Sequence, residues 1–107
     1  MSDANEAIEF LYKQAPKYAQ AKAERVYIEE YRKSKKALLM QSSRETTSAA
    51  QERDAYASQE YIDLLDGLQK AVEIEETLRW QLEAAKLRIE VYRTESANNR
   101  FLDKATQ

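Results

Sequence analysis

The side chains that most enzymes use for acid–base and nucleophilic chemistry are missing from this sequence. It contains no histidine and no cysteine, so it lacks the commonest general base, the commonest metal ligand and any thiol nucleophile. A single glycine excludes a glycine-rich phosphate loop. The carboxylates Glu73, Glu75 and Glu76 could hold a hard metal ion, but clustered acids on a helix are usually a solvated face. We therefore predict a non-enzymatic protein with no catalytic residue, no metal site and no cofactor.

The strongest functional signal is a basic stretch preceded by two tyrosines. Four cations fall within five residues, and they are Arg32, Lys33, Lys35 and Lys36. Because cations contact phosphates and aromatic rings can stack on bases, the pattern is typical of a nucleic-acid interface. We expect these four cations to be exposed and to bind phosphates, together with Arg93 and Arg100, which are seven residues apart on one helix face. For Tyr27 and Tyr31 a structural role is the more probable one, because both lie on a predicted buried stripe.

Charge segregation gives the same cations a second interpretation. Residues 13–44 hold nine basic and three acidic side chains, whereas residues 45–76 hold nine acidic and two basic ones. Neighbouring helices of opposite sign attract each other, which would favour antiparallel pairing within the chain. The net charge of −2 also argues mildly against nucleic-acid binding. Both interpretations stay open at this point.

Composition and capping signals predict an all-α protein with a single domain over residues 1–107. Good helix formers dominate, with one glycine and one proline. The predicted helices cover about 4–14, 16–41, 48–57 and 58–104. Asp3 with Glu6 and Ser48 with Gln51 fit capping boxes, and Pro16 fits the first turn of a second helix. Ser58 fits either a break or a bend, and we expect Gly67 to remain helical.

The last predicted helix carries a long heptad pattern. Its positions alternate in steps of four and three, and all but Glu75 are apolar: Ala57, Tyr61, Leu64, Leu68, Ala71, Glu75, Leu78, Leu82, Ala85, Ile89 and Tyr92. This spacing is typical of a coiled-coil seam. We predict an elongated antiparallel helical hairpin or coiled coil, with one very long C-terminal helix and a short N-terminal helix. In the helix over 16–41 the predicted buried stripe is Tyr27, Tyr31, Ser34 and Leu38, with Ala23 and Ile28 beside it.

A second apolar stripe lies beside the first on the same long helix. It consists of Leu65, Val72, Trp80, Ala84, Leu87 and Val91. One chain has too few other helices to cover both stripes, so we expect a homodimer through the long helix, with a host or viral partner helix as the alternative. The predicted partner-binding residues are Leu78, Trp80, Leu82 and Leu87. Trp80 fits a hydrophobic anchor better than a platform for base stacking.

Several segments resemble a group of small all-helical proteins from tailed bacteriophages. They are residues 15–19 (APKYA), 32–37 (RKSKKA), 60–65 (EYIDLL), 78–80 (LRW) and 84–90 (AAKLRIE). The group has mostly unknown functions and is often encoded near recombination and replication genes, so the resemblance implies a phage accessory role. It transfers no catalytic or binding residue. Relatives carry a proline before the Glu-Tyr pair. This chain has the pair but lacks the proline, which puts a clean break near Ser58 in doubt.

The leading functional prediction is an accessory protein that binds nucleic acid during phage DNA recombination or replication. The alternative is a protein–protein interaction module that inhibits a host nuclease or defence complex through its apolar stripe and acidic patch. The longest apolar run, Ala37–Met40, is far too short to span a membrane. The start of the chain is acidic, unlike a signal peptide. We therefore expect a cytoplasmic protein, in the host cytoplasm if viral, with no membrane partner.

Overall fold

The computed structural model describes residues 3–106, which form three α-helices and no strand. Helix α1 spans Asp3–Gln41, α2 spans Ser48–Ala57 and α3 spans Gln59–Thr106. The predictions of an all-α fold and of one very long C-terminal helix are confirmed. Within the described residues no helix combines the length and hydropathy needed to cross a bilayer.

Helix α1 continues through Pro16, where the sequence predicts a boundary between a short helix over 4–14 and a second one over 16–41. The predicted break is absent, and the short N-terminal helix is the first part of α1. Proline lacks an N–H, so the carbonyl of Tyr12 loses its helical partner, but Tyr12 is exposed and water can hydrate that carbonyl. Leu11 and Tyr18, on either side of the proline, are half-buried, and this packing keeps the helix continuous.

Thr47 caps the start of α2. Its Oγ1 accepts a hydrogen bond from the N–H of Ala50 at 3.2 Å, and its backbone is extended. The sequence assigns this cap to Ser48, which is instead the first residue of the helix. The predicted gap between the helices that end near residue 41 and begin near residue 48 is present, since α1 ends at Gln41 and α2 begins at Ser48.

Ser58 separates α2 from α3 and settles the choice between a break and a bend. Its backbone is extended, with φ −70° and ψ 147°. Its hydroxyl donates to the carbonyl of Ala55 at 2.8 Å and accepts from the N–H of Tyr61 at 3.2 Å. One serine therefore caps the end of α2 and the start of α3, so no proline is needed to end α2.

The described residues form two units. Unit 2 spans residues 20–75, and unit 1 consists of the described residues on either side of that range. In unit 1, Asp3 lies 3.8 Å from Arg88, and Tyr18 lies within electrostatic range of Arg79. Helices α1 and α3 therefore run antiparallel in this unit.

Unit 2 shows the same antiparallel arrangement. Arg25 contacts Glu75, and Lys35, further along α1, contacts Glu60, which is earlier in α3. The short helix α2 packs beside them, with Ala55 almost fully buried. The antiparallel hairpin predicted from the sequence is thus present in each unit.

The heptad pattern of α3 marks the face that packs against α1. All of its positions between Tyr61 and Ile89 are buried or half-buried, whereas Ala57 and Tyr92 are exposed. We call this set the inner stripe: Tyr61, Leu64, Leu68, Ala71, Glu75, Leu78, Leu82, Ala85 and Ile89. The predicted coiled-coil seam is confirmed over these residues.

The matching face of α1 is not the predicted one. Tyr27 is 65% exposed, Leu38 is 54% exposed and Ser34 is exposed as well. The least exposed positions of α1 instead alternate in steps of three and four: Ala4, Ala7, Leu11, Gln14, Tyr18, Ala21, Arg25, Ile28, Arg32, Lys35 and Leu39. A stripe chosen by hydropathy misses this face because its centre is polar. Long Arg and Lys side chains lay their methylenes along the seam while their charged ends find partners.

Gly67 lies inside α3, as expected, and offers a simple test of the helix. A Cβ at this position would meet no atom within 4 Å. Gly67→Ala should therefore raise the free energy of unfolding by about 1 kcal/mol, because alanine loses less backbone entropy in a helix. Thermal unfolding followed by circular dichroism measures this at a fixed protein concentration. The reverse change at the exposed Ala23 should lower stability by a similar amount, and destabilisation by Gly67→Ala would contradict a helical Gly67.

Candidate interaction surfaces

The most buried charge in the described chain is a carboxylate on the inner stripe. Glu75 is 5% exposed, and the guanidinium of Arg25 meets it through two hydrogen bonds. Nε donates to Oε2 at 2.6 Å and Nη2 donates to Oε1 at 2.9 Å. A third donor, Nη1, reaches Glu29 at 3.0 Å. The hydrogen bonds that Arg25 donates to Glu75, followed by the one to Glu29, raise the pKa of Arg25 above its ordinary value.

This pair explains the one polar residue in the heptad pattern of α3. The sequence shows Glu75 as an exception among apolar positions but does not identify its partner. Three-four spacing along α1 would have placed Arg25 on the opposite seam, because Ala21, Arg25 and Ile28 follow that spacing. A buried ion pair is costly unless both members are present, so it favours one register of the two helices over others.

Two lysines of the predicted nucleic-acid site are engaged with acidic residues of α2 and α3. Lys35 Nζ lies 2.6 Å from a carboxylate oxygen of Glu60, and Lys36 Nζ lies 3.5 Å from Glu52. Lys36 also sits 4.9 Å from the ring centre of Tyr56. The hydrogen bond to Glu60 raises the pKa of Lys35, and a hydrogen bond with Tyr56 and then the charge of Glu52 raise that of Lys36.

The other four predicted phosphate-binding cations differ in their surroundings. Lys33 is exposed and lies 3.3 Å from Glu30, and Arg93 is exposed and lies 3.5 Å from Glu90. Arg100 is exposed, and the described residues place no carboxylate within 4 Å of it. The expectation that the whole basic stretch is exposed is therefore corrected, because Arg32, Lys35 and Lys36 are half-buried.

Three of these cations line an open groove in unit 2. We call it the basic groove. It has a volume of about 440 Å³ and is lined by Arg32, Lys33, Lys36, Ala37, Met40, Tyr56 and Tyr61. The Nε atom of Arg32 is buried and has no hydrogen-bond partner among the described residues. Tyr27 and Tyr31 lie on the preceding turns, with their rings nearly parallel and 6.0 Å apart.

The predicted partner-binding residues fall on two different faces of α3. Leu78 and Leu82 are half-buried on the inner stripe, where they face the chain's own α1. Trp80 is 61% exposed and Leu87 is 64% exposed. The guanidinium carbon of Arg79 lies 4.6 Å from the centre of the Trp80 ring, over its face.

The exposed face of α3 in unit 1 carries a second heptad pattern, which we call the outer stripe. Its positions again alternate in steps of four and three: Trp80, Ala84, Leu87, Val91, Thr94, Asn98, Phe101 and Ala105. All eight are exposed, and Phe101 is 71% exposed. The sequence prediction follows this stripe only to Val91, although the same spacing leads on to Phe101.

The acidic residues considered for a metal have other partners. Glu75 binds Arg25, and Glu76 accepts hydrogen bonds from Arg79 at 2.8 and 3.1 Å. The hydrogen bond with Glu76 raises the pKa of Arg79. Across residues 3–106 no cluster of three metal-ligating side chains occurs.

Comparison with known proteins adds no assignment: no family model, no curated protein and no solved structure matches the chain.

The Arg25–Glu75 pair can be tested with a double-mutant cycle. Glu75→Leu should lower the melting temperature because it leaves Arg25 without its main partner in a half-buried seam, and Arg25→Met should do the same to Glu75. The double variant should be more stable than either single variant, since two apolar residues can then fill the seam. Thermal unfolding at a fixed protein concentration gives all four values.

Glu9→Gln is the matched control, because Glu9 makes an exposed ion pair with Lys13 and its loss should change the melting temperature little. Single variants that are as stable as the unchanged protein would show that the pair does not constrain the seam.

Proposed function

We propose that this chain is a non-enzymatic assembly module that forms a homodimer through the outer stripe of α3. The observation that carries the proposal is the exposure of four large apolar side chains at heptad spacing on one helix face: Trp80, Leu87, Val91 and Phe101. Apolar patches of this kind on a soluble surface usually mark an interaction site. Heptad spacing is the arrangement that lets a second helix pack along the whole patch.

The energetic case rests on burial. Leu87 is 64% exposed and Val91 is 56% exposed, so covering the exposed part of each side chain contributes about 1–2 kcal/mol. A symmetric dimer gains this contribution in both copies. The inner stripe cannot serve the same purpose, because the chain's own α1 already packs on it. A second copy is the simplest partner because it brings the same apolar stripe at the same concentration.

Dimerisation would also place two copies of every other surface in one particle. A weak binding site on one copy then acts together with its twin, and linked sites gain avidity without any new contact. This is how a small helical protein without catalytic groups can act as an adaptor.

The test is a double substitution on the outer stripe. Leu87→Ser with Val91→Ser should raise the dimer dissociation constant by at least about a hundredfold, because four apolar side chains per dimer lose their burial. Sedimentation velocity over a range of concentrations measures the constant. Circular dichroism should show unchanged helix content, since both residues are exposed in the single chain.

Leu38→Ser is the matched control. Leu38 is an exposed apolar residue of α1 outside the outer stripe, so its replacement should leave the dissociation constant unchanged. If the unchanged protein is a monomer at every concentration, the proposal is contradicted. The outer stripe would then be a binding site for a helix of a different protein.

A second candidate function is nucleic-acid binding at the basic groove, and the lining of this open groove by Arg32, Lys33 and Lys36 favours it. Four of the six predicted phosphate-binding cations already contact carboxylates, which makes this candidate the weaker one.

Oligonucleotide binding at low salt tests this second candidate. Arg32→Gln with Lys33→Gln should weaken binding of a single-stranded oligonucleotide about tenfold or more and reduce the slope of log affinity against log salt. Lys17→Gln with Lys22→Gln changes the net charge equally at exposed positions outside the groove and should have the smaller effect. Equal losses in both double variants, or no binding at all, would contradict a groove-specific site.

The resemblance to helical phage proteins stays a prediction. It would place the module in DNA recombination or replication, or in the inhibition of a host nuclease or defence complex. Either role is compatible with a dimer that presents two basic grooves.

A further inference from the structure

We infer that the two copies pack through the outer stripe in an antiparallel register that places Ala84 of each copy opposite Phe101 of the other. This inference rests on the proposed homodimer and specifies its partner geometry. In that register Leu87 also faces Asn98 of the second copy. The evidence is the order of large and small side chains along the stripe and the charges that flank it.

Side-chain size is arranged in complementary order along the outer stripe. The stripe begins with a large residue followed by a small one, Trp80 and Ala84, and ends with a large residue followed by a small one, Phe101 and Ala105. Turning the second copy around therefore sets Trp80 against Ala105 and Ala84 against Phe101. Alternating large and small residues fill a helix interface without voids or clashes.

The flanking charges are complementary in the same register. On one flank of the stripe Arg88 approaches Glu95 of the second copy, and by symmetry Glu95 approaches the second Arg88. On the other flank Glu83 approaches Lys104 of the second copy. In an antiparallel coiled coil these flanking positions select orientation and partner. In the single chain Arg88 lies 3.8 Å from Asp3 and Glu83 lies 3.2 Å from Lys86. Both pairs are solvent-exposed and therefore weak, so these side chains can exchange partners in the dimer.

Other registers bring like charges together. A shift of one heptad in one direction places Arg88 next to Arg88 of the second copy. A shift in the other direction places Glu95 next to Glu95 of the second copy. A parallel dimer sets Glu90 against Glu95 of the second copy, which offsets its attraction between Glu83 and Arg88, and it pairs Trp80 with Trp80 in one layer. The antiparallel register has the Arg88–Glu95 and Glu83–Lys104 attractions, each occurring twice, and no like-charge pair at these positions. Like charges at such positions are unfavourable, so the antiparallel register is favoured.

Engineered cysteines test the register in the full chain. The sequence has no cysteine, so every disulfide would come from the introduced residues. We expect Ala84→Cys alone and Phe101→Cys alone to stay uncrosslinked under mild oxidation, because in this register the two copies of position 84 are about 25 Å apart. An equimolar mixture of the two variants should give a covalent dimer with a 84–101 disulfide, identified by peptide mass spectrometry.

A second pair of variants, Leu87→Cys and Asn98→Cys, should behave in the same way and guards against failure of Phe101→Cys to dimerise. Sedimentation of the reduced variants reports whether a dimer forms at all. If both single variants of a pair crosslink on their own, the dimer is parallel. If neither the single variants nor the equimolar mixtures crosslink, the dimer has another register. Both results overturn the inference but keep the homodimer. A monomeric unchanged protein overturns the proposed function itself.

Discussion

The contact between Arg25 and Glu75 is the constraint on which the packing of this protein depends. A carboxylate that is 5% exposed needs a partner, and the guanidinium of Arg25 donates two hydrogen bonds to it. Because Glu75 belongs to the inner stripe, this contact assigns that stripe to the chain's own α1. The bidentate geometry leaves little freedom for α1 to slide along α3 in unit 2.

That assignment determines which surfaces remain for function. In unit 2 the basic side chains of α1 contact the acids of α2 and α3, so charge segregation along the sequence serves internal pairing more than it serves a ligand. In unit 1 the inner stripe packs against α1, and the outer stripe of α3 is exposed along its length.

Much of the fold can be predicted from the sequence, because α3 carries its pattern in apolar residues. The four-three spacing from Tyr61 to Ile89 marks the packed face, and a helical Gly67 follows from the periodicity around it. The packed face of α1 cannot be predicted from apolar spacing in the same way. It includes Arg25, Arg32 and Lys35, which hydropathy places on the surface. Arg25 and Lys35 bind carboxylates 50 and 25 positions away, and spacing within one helix does not identify those partners.

The candidate surfaces also differ in how far the sequence predicts them: apolar spacing identifies one of them, whereas the other depends on distant contacts. Trp80 and Leu87 can be predicted because they are apolar at heptad spacing, and they are exposed as expected. The sequence predicts that the cations of the basic stretch are exposed and leaves open whether they pair with the acidic segment; their availability depends on acids brought close by the fold. The unpartnered Nε of Arg32 has no sequence signal, because it results from the positions of neighbouring helices.

The most direct measurement of the central claim uses Trp80, the single tryptophan of the chain, which lies on the outer stripe. Fluorescence quenching by acrylamide, recorded over a range of protein concentrations, reports how exposed this ring is. If the outer stripe holds two copies together, quenching should fall as concentration rises, and the midpoint should match the dissociation constant from sedimentation. Quenching that stays high and independent of concentration, in a protein that nevertheless dimerises, would contradict assembly through this face.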